Sequence, residues 1–337
     1  MSLLCLTELM YFHFKIRICW TILILFCIGS IWWSDIYKEF TSKFTLTTIR
    51  EESKTSLRKK YSVDFTNARQ LEDRIQARRK MVADYCKRHK ASDSLFGTNL
   101  RYFLVFRKRK VIYCFVPKVA STQWQKELFV LKEEDEEMSR DANVTVAKNN
   151  LNYFSEQEAR QMLKSYFTFL FVRDPMERIL SAYKDKLLED NKIFRHAIGR
   201  KIIARFRPNA TQHALETGSV VTFPEFTSFL LQAKEYDEHW RPFDNLCHPC
   251  AINFDFIGHY EDLAEEAPYL VKKAGIDDRV SFPPVRASNT TADLLQYYSQ
   301  IPNTKILQLA KIYENDYKMF NFPFPGKLAK LFDSEES

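Results

Sequence analysis

The sequence predicts an α/β protein with a central parallel sheet flanked by helices. Two apolar runs, Val111–Val116 and Tyr166–Val172, each pass through a basic turn into a helical pattern. The second run shows no alternation of apolar and polar residues, as expected of a strand covered on both faces. A third run, Ile252–Ile257, leads through Gly258 to a helical pattern over Glu265–Ala274. Strand, helix, strand, helix in this order is the signature of parallel strands joined by crossover helices. There is no internal repeat.

The 337 residues are 45% hydrophobic and 15% aromatic, which supplies a core and excludes a disordered chain. The formal charge of +7 is uneven: residues 38–110 hold 20 Lys/Arg and 8 Asp/Glu, a net of +12. Few aromatics interleave with the charges of residues 38–90, so they read as a solvated stalk and not as a nucleic-acid surface.

Residues 1–15 read as a cytoplasmic tail and 16–33 as a single transmembrane signal anchor. The run from Ile16 is apolar except for Arg17, Thr21, Gly29 and Ser30, with Lys15 before it and Trp32-Trp33 at its end. Ser30-Ile-Trp-Trp-Ser is too bulky for a signal-peptidase site. Everything beyond residue 34 is then expected in the secretory lumen. Three sequons, at Asn143, Asn209 and Asn289, and four cysteines outside the span, Cys86, Cys114, Cys247 and Cys250, agree with that. Four cysteines permit three pairings, and Cys114, in mid-strand, reads as a buried thiol.

Residues 34–94 form the expected stem. Within it Leu71, Ile75, Val82 and Tyr85 mark a helical stripe, either a stem helix or the first helix packed on the domain. The compact domain is expected over 95–326, with 327–337 a tail. After the first strand, Trp124, Leu128 and Leu131 share one helical face. The acidic run Glu133–Glu137 reads as a solvated loop. After the second strand, Asp174 sits as N-cap, Pro175 at the first helical position and Glu177 three residues past the cap. Met176, Ile179, Leu180 and Tyr183 follow the helix period.

A strand that ends in a basic, hydroxyl-rich turn and opens a helix offers N–H groups and side-chain donors to an anion. Two such turns suit a ligand with two anionic ends. In Pro117-Lys-Val-Ala-Ser-Thr122, Lys118 can reach a bridging oxygen while Ser121 and Thr122 face a phosphate. The chain has only 7 Gly, so a glycine-rich nucleotide cradle is excluded. Arg173 leaves a strand end, and its planar fork suits a terminal phosphate. Ser181, eight residues on, shares a helix face with the N-terminal residues, whereas Arg178 is expected to face outward or pair with Glu177 or Asp174.

The segments YCFVPKVASTQWQKELFVL, FLFVRDPMERILSAYKDKL and EHWRPFDNLCHPCAINFDFIGHYEDL resemble the Golgi carbohydrate sulfotransferases. The closest likeness is to the chondroitin and dermatan 4-O-sulfotransferases, with kinship to the HNK-1 sulfotransferase that modifies glucuronic acid. The resemblance covers residues 95–325. It implies a P-loop-like sulfotransferase domain, a 3′-phosphoadenylyl sulfate (PAPS) donor, a glycosaminoglycan or glycoprotein glycan acceptor, and no metal. Pro117, Lys118, Val119, Ala120, Ser121, Thr122 and Gln123 would form the 5′-phosphosulfate loop. Arg173, Asp174, Pro175, Met176, Glu177, Arg178, Ile179, Leu180 and Ser181 would form the 3′-phosphate element. The family's common Ala-Cys-Thr-Asn-Trp is here Ala120-Ser-Thr-Gln-Trp124. Gln before that Trp also occurs in the glucuronic-acid branch.

In such a transfer Lys118 would meet the charge developing on the leaving phosphate oxygen. A base must take the sugar proton, and His239 in Glu238-His-Trp-Arg-Pro242 is the chosen candidate among six lumenal histidines. Cys247-His-Pro-Cys250 has no second ligand pair and is a poor zinc site. The competing readings are a lumenal kinase, which would need a glycine-rich loop, and a non-catalytic polyanion-binding ectodomain using Arg101–Lys110.

Overall fold

The computed structural model describes residues 68–89, 95, 99–141, 149–189, 191–233, 236–284 and 290–333. The expected anchor 16–33 and the sequons at Asn143 and Asn289 lie outside the described residues. Asn209 is described and stands in an exposed turn. Among the described residues no helix is long and apolar enough to cross a membrane.

Four strands, β1 (Phe103–Phe106), β2 (Val111–Cys114), β3 (Phe167–Val172) and β4 (Phe256–His259), lie side by side in that order. β2, β3 and β4 are parallel, with Tyr113 opposite Phe169 and Phe169 opposite Phe256. β1 adds an antiparallel edge that the sequence reading did not anticipate, because the cations around Phe103–Phe106 dominate that stretch. The expected third strand starts late. Asp255 exchanges hydrogen bonds with Thr168, its N–H donating at 2.8 Å and its carboxylate accepting at 2.9 Å, so regular pairing begins only at Phe256. β3 is buried along five of its six residues, as a doubly covered strand should be. In β4, a Cβ at Gly258 would stand 2.2 Å from the Phe171 ring, so only glycine lets the two strands pack there.

The first helix, α1 (68–88), buries Leu71, Ile75, Val82 and Tyr85 and is therefore packed on the domain. Arg78 fastens it to Glu266 at 2.6 Å and Asp262 at 2.7 Å, and Arg79 donates to the Phe254 carbonyl at 2.7 Å. From Gln70 onward the chain forms one compact unit. Trp124, Leu128 and Leu131 are fully buried as expected, but the helix breaks at Leu128 into α2 (Ser121–Glu127) and α3 (Phe129–Asp141). Trp124 packs against Phe171 at 5.3 Å and Phe282 at 4.4 Å between ring centroids.

The acidic run is not a solvated loop. It lies in α3, where Glu134 and Asp135 are buried. Glu134 accepts from Arg109 and pairs with Arg279 at 2.8 Å, while Asp135 accepts the Arg107 and Lys108 N–H groups, each at 2.8 Å. These carboxylates neutralise the basic β1–β2 turn, which a composition-based reading sees only as a free polycation.

α4 (Glu156–Ser165) opens with a Ser155–Glu158 capping box and leads into β3. α5 (Pro175–Tyr183) follows β3 with the expected cap: Asp174 accepts the Glu177 N–H at 3.0 Å. Cys114 is not a thiol. It is disulfide-bonded to Cys247, and Cys86 is bonded to Cys250, so strand β2 and helix α1 are both fastened to the 247–250 segment.

His259 ends β4 with its ring stacked on Phe322, centroids 4.7 Å apart. Burial, aided by Arg78 and Arg74, pulls its pKa from 6.5 to about 3. The fold therefore keeps His259 neutral while the unfolded chain takes a proton, and this contribution to stability is lost as pH falls from about 6.5 toward 3. His259→Phe should remove that slope. Thermal melts across this range should show wild type losing ground to the variant as pH falls, and parallel profiles would refute it.

Candidate active site

A cavity of about 220 Å³ opens at the C-terminal ends of β2 and β3, where ligands bind in open α/β sheets. The loop after β2 lines it with Pro117, Lys118, Ala120, Ser121 and Thr122. Arg173 and Ser181 come from the second corner, and His239 and Tyr260 from farther along the chain. Both predicted corners thus meet in one space, together with the predicted base. Val119, Met176, Ile179 and Leu180 are buried core residues and hold the corners from behind. Pro175 fills the first turn of α5.

The loop turns without glycine. Lys118 (φ 73°) and Ala120 (φ 54°) both adopt the left-handed region, which costs about 1 kcal/mol or more at each non-glycine residue. Two arginines of the second corner hold it there. Arg173 donates from Nη1 to the Lys118 carbonyl at 3.3 Å, and Arg178 from Nε to the Pro117 carbonyl at 3.1 Å. Ala120 then starts α2 with no side-chain cap, and the first-turn residues Ser121 and Thr122 face the cavity.

Arg178 does not face outward, nor does it pair with Glu177 or Asp174. It is buried, stacks over Phe243 at 4.7 Å, and donates also to the carbonyls of Arg241 at 2.6 Å and Glu238 at 2.9 Å. It thereby ties the loop at Pro117 to the segment that carries His239. Burial pulls its pKa down to about 10, still high enough to leave the guanidinium charged at neutral pH. Arg173 is only 2% exposed; Glu177 Oε2 accepts from its Nε and Nη2 at 3.3 and 3.2 Å, and its plane lies 4.2 Å from the Tyr260 ring centre. Glu177 also pairs with Lys327, inside the segment expected to be a tail. Asp174 serves the cap, and burial pushes its carboxyl up to about 6.

Burial lowers the pKa of the Lys118 ammonium, against the opposing charge of Asp185 at 3.1 Å. His239 meets Asp237 through Nδ1 at 2.5 Å, and its backbone N–H donates to the same carboxylate oxygen at 3.0 Å. That pairing favours the Nδ1–H tautomer and leaves Nε2 as the proton acceptor. Burial raises the Asp237 carboxyl, but the hydrogen bonds from His239 outweigh it and the net shift is downward. The Phe194 ring packs edge-on against His239, with centroids 5.1 Å apart.

The sequence reading missed Asp185, Lys186, Asp237 and Tyr260. The first two stand in the Lys184-Asp-Lys186 run just past Ser181, and Asp237 lies two residues before His239, so spacing alone could have raised them. Gln123 lines an adjoining cavity of about 750 Å³, walled by Tyr260, Leu263, Phe282, Pro283 and Pro284. A further cavity of about 580 Å³ sits at the other end of β3, beside Phe167 and Asp255, and gathers no histidine. Cys247 and Cys250 are both consumed in disulfides, and among the described residues no three His, Cys, Asp or Glu side chains converge as a metal site.

Arg178→Ala would take the guanidinium donor from the carbonyls of Pro117, Glu238 and Arg241 and leave a cavity in the interior, and should cost roughly 3 kcal/mol or more of stability by thermal or denaturant unfolding. Ser181, the one residue of α5 that is not buried, should tolerate Ala within about 0.5 kcal/mol. Equal losses would contradict the division between brace and lining.

The sulfotransferase family is matched over residues 101–323. Carbohydrate sulfotransferase 11 of Rattus norvegicus is 37% identical over 271 residues, covering 75% of this chain and 77% of the relative. Carbohydrate sulfotransferase 14 of Danio rerio is 36% identical over 242 residues, 68% of this chain and 64% of the relative. Carbohydrate sulfotransferase 8 of Homo sapiens is 32% identical over 266 residues, 74% and 63%. No solved structure matches. The strand-end cavity therefore belongs to an enzyme, and the chain is a member of the sulfotransferase family, among its carbohydrate sulfotransferases.

Proposed function

We propose that this enzyme transfers a sulfuryl group from PAPS to a hydroxyl of a glycan, the 4-position of N-acetylgalactosamine in chondroitin or dermatan being the leading acceptor. One observation carries the reading: Lys118, Ser121, Thr122, Arg173, Ser181 and His239 line a single cavity. The cavity fits a donor of this kind, since it combines the ammonium groups of Lys118 and Lys186, the aliphatic hydroxyls of Ser121, Thr122 and Ser181, and the uncapped start of α2. The donor supplies the sulfuryl group, whose bond to the leaving phosphate oxygen breaks as the bond to the sugar oxygen forms.

Lys118 neutralises charge on that leaving oxygen. The first-turn N–H groups of α2 and the hydroxyls of Ser121 and Thr122 orient the 5′ end. Ser181 offers its hydroxyl to the 3′ phosphate. Arg173, buried and shared with Glu177, gives that corner its charge and its shape. His239 Nε2 accepts the proton of the sugar hydroxyl, with Asp237 holding the ring and stabilising the imidazolium. The adjoining cavity, with its aromatic and proline walls and the Gln123 amide, suits the purine.

The enzyme belongs, in this reading, to the Golgi membrane as a single-pass type II protein. Residues 16–33 anchor it, 34–94 form the stem and the domain of 95–326 is lumenal. Two disulfides and the exposed sequon at Asn209 support a lumenal setting. A second acceptor reading is terminal N-acetylgalactosamine or glucuronic acid on glycoproteins; Gln123, which also occurs in the glucuronic-acid branch, speaks for the glucuronate alone.

Full-length protein in detergent, incubated with radiolabelled PAPS and a glycan panel, should label chondroitin or dermatan first. ATP turnover would point to a kinase, and glycan binding without transfer to a non-catalytic ectodomain. Lys118→Ala should lower transfer by about 100-fold or more. His239→Ala should lower kcat by a similar factor while leaving the KM for PAPS within about threefold. An unchanged kcat removes His239 as the base.

A further inference from the structure

Asp185 is the one carboxylate among the residues that line the anion cavity. Its oxygen lies 3.1 Å from Lys118 Nζ and 3.0 Å from Lys186 Nζ. It stands on a π-helical turn, Lys184–Leu188, that directly continues α5, a distortion frequent at functional positions. A negative charge inside an anion site works against the ligand, so a purely architectural ion pair would be better made outside the cavity. What Asp185 touches is the ammonium that the leaving phosphate also needs.

We propose that Asp185 is a positioning residue acting through Lys118: its carboxylate competes with the leaving 5′ phosphate for the Lys118 ammonium and so loosens the hold on the nucleotide product. This rests on the donor-site reading above. Lys118 has one ammonium and two anionic claimants, and whichever it leaves must be neutralised elsewhere. Lys186 is placed to do that for Asp185, so release of Lys118 does not strand a bare carboxylate. When the reaction is over, Asp185 reclaims Lys118 and the phosphate loses its closest cation. Asp185 is not a second base. Burial raises its carboxyl, but the hydrogen bond from Lys186 and the charge of Lys118 outweigh it, and the group stays below the ordinary carboxylate range.

The test is calorimetric titration of the full-length protein with adenosine 3′,5′-bisphosphate, which needs no turnover. Lys118→Ala should weaken binding at least about tenfold. Asp185→Asn should tighten it roughly three- to tenfold, and Asp185→Glu, which keeps the charge, should stay within about twofold of wild type. In the Lys118→Ala background, Asp185→Asn should change affinity less than about twofold, because the contested ammonium is gone. Equal tightening in both backgrounds would mean that Asp185 merely repels the ligand, and overturns the competition. So would wild-type or weaker binding by Asp185→Asn, provided that Lys118→Ala still weakens it. If Lys118→Ala binds like wild type, the donor-site reading falls and this proposal with it.

Discussion

Two guanidinium groups, buried at the start of one helix, hold successive carbonyls of a neighbouring loop. Arg178 takes Pro117 and Arg173 takes Lys118. Everything else in the site depends on that grip, because the loop between β2 and α2 has no glycine and still turns through left-handed backbone at Lys118 and Ala120. A free chain would relax such a turn. Fixed charge-assisted hydrogen bonds make the strained form the only one compatible with a satisfied interior. The same geometry aims the Lys118 side chain and exposes the first turn of α2. Loop conformation, helix start and the placing of the Lys118 ammonium are thus set by one contact surface.

That surface reaches the opposite wall as well. Arg178 also binds the carbonyls of Glu238 and Arg241, between which His239 is carried. Tyr313 donates to the Trp240 carbonyl at 2.5 Å, and Asp316 accepts from the Phe243 and Asp244 N–H groups at 3.0 and 3.3 Å. Burial pushes the Asp316 carboxyl up to about 7, so this support is sensitive to its ionisation near neutrality. A histidine in a short irregular segment would ordinarily be loosely placed. Here its backbone is fixed on both sides and its ring by Asp237.

The parts of this arrangement that obey local rules were legible in the sequence. The parallel strands, the Asp174-Pro175-Glu177 start of α5, and the buried face of Trp124, Leu128 and Leu131 each follow from spacing alone. So did the meeting of Lys118, Arg173, Ser181 and His239, given the resemblance of three ordered segments. What escaped depends on partners far along the chain. Arg178 was expected outward because a helix is ordinarily half exposed, yet α5 is buried on nearly every side and the carbonyls that satisfy Arg178 lie some sixty residues away. Glu134 and Asp135 looked solvated because their partners, the Arg109 and Arg279 guanidinium groups for Glu134 and the Arg107 and Lys108 N–H groups for Asp135, come from other parts of the chain. Cys114 looked like a thiol because its partner follows 133 residues later. β1 was hidden by the charge around it, which its hairpin turn spends on α3.

The pairing of cysteines has a consequence for how the walls of the site are held. Cys247 and Cys250 stand three residues apart and are tethered in different directions, one to β2 ahead of the Pro117–Thr122 loop and the other to helix α1. The tetrapeptide Cys247–Cys250 follows closely on the His239 segment, so both tethers bear on how His239 is placed relative to the loop. Without the two bridges, the 247–250 segment would lose its covalent ties to β2 and to α1. In the lumenal setting proposed above, closing both bridges would complete that wall and fix its edge to the sheet and to α1.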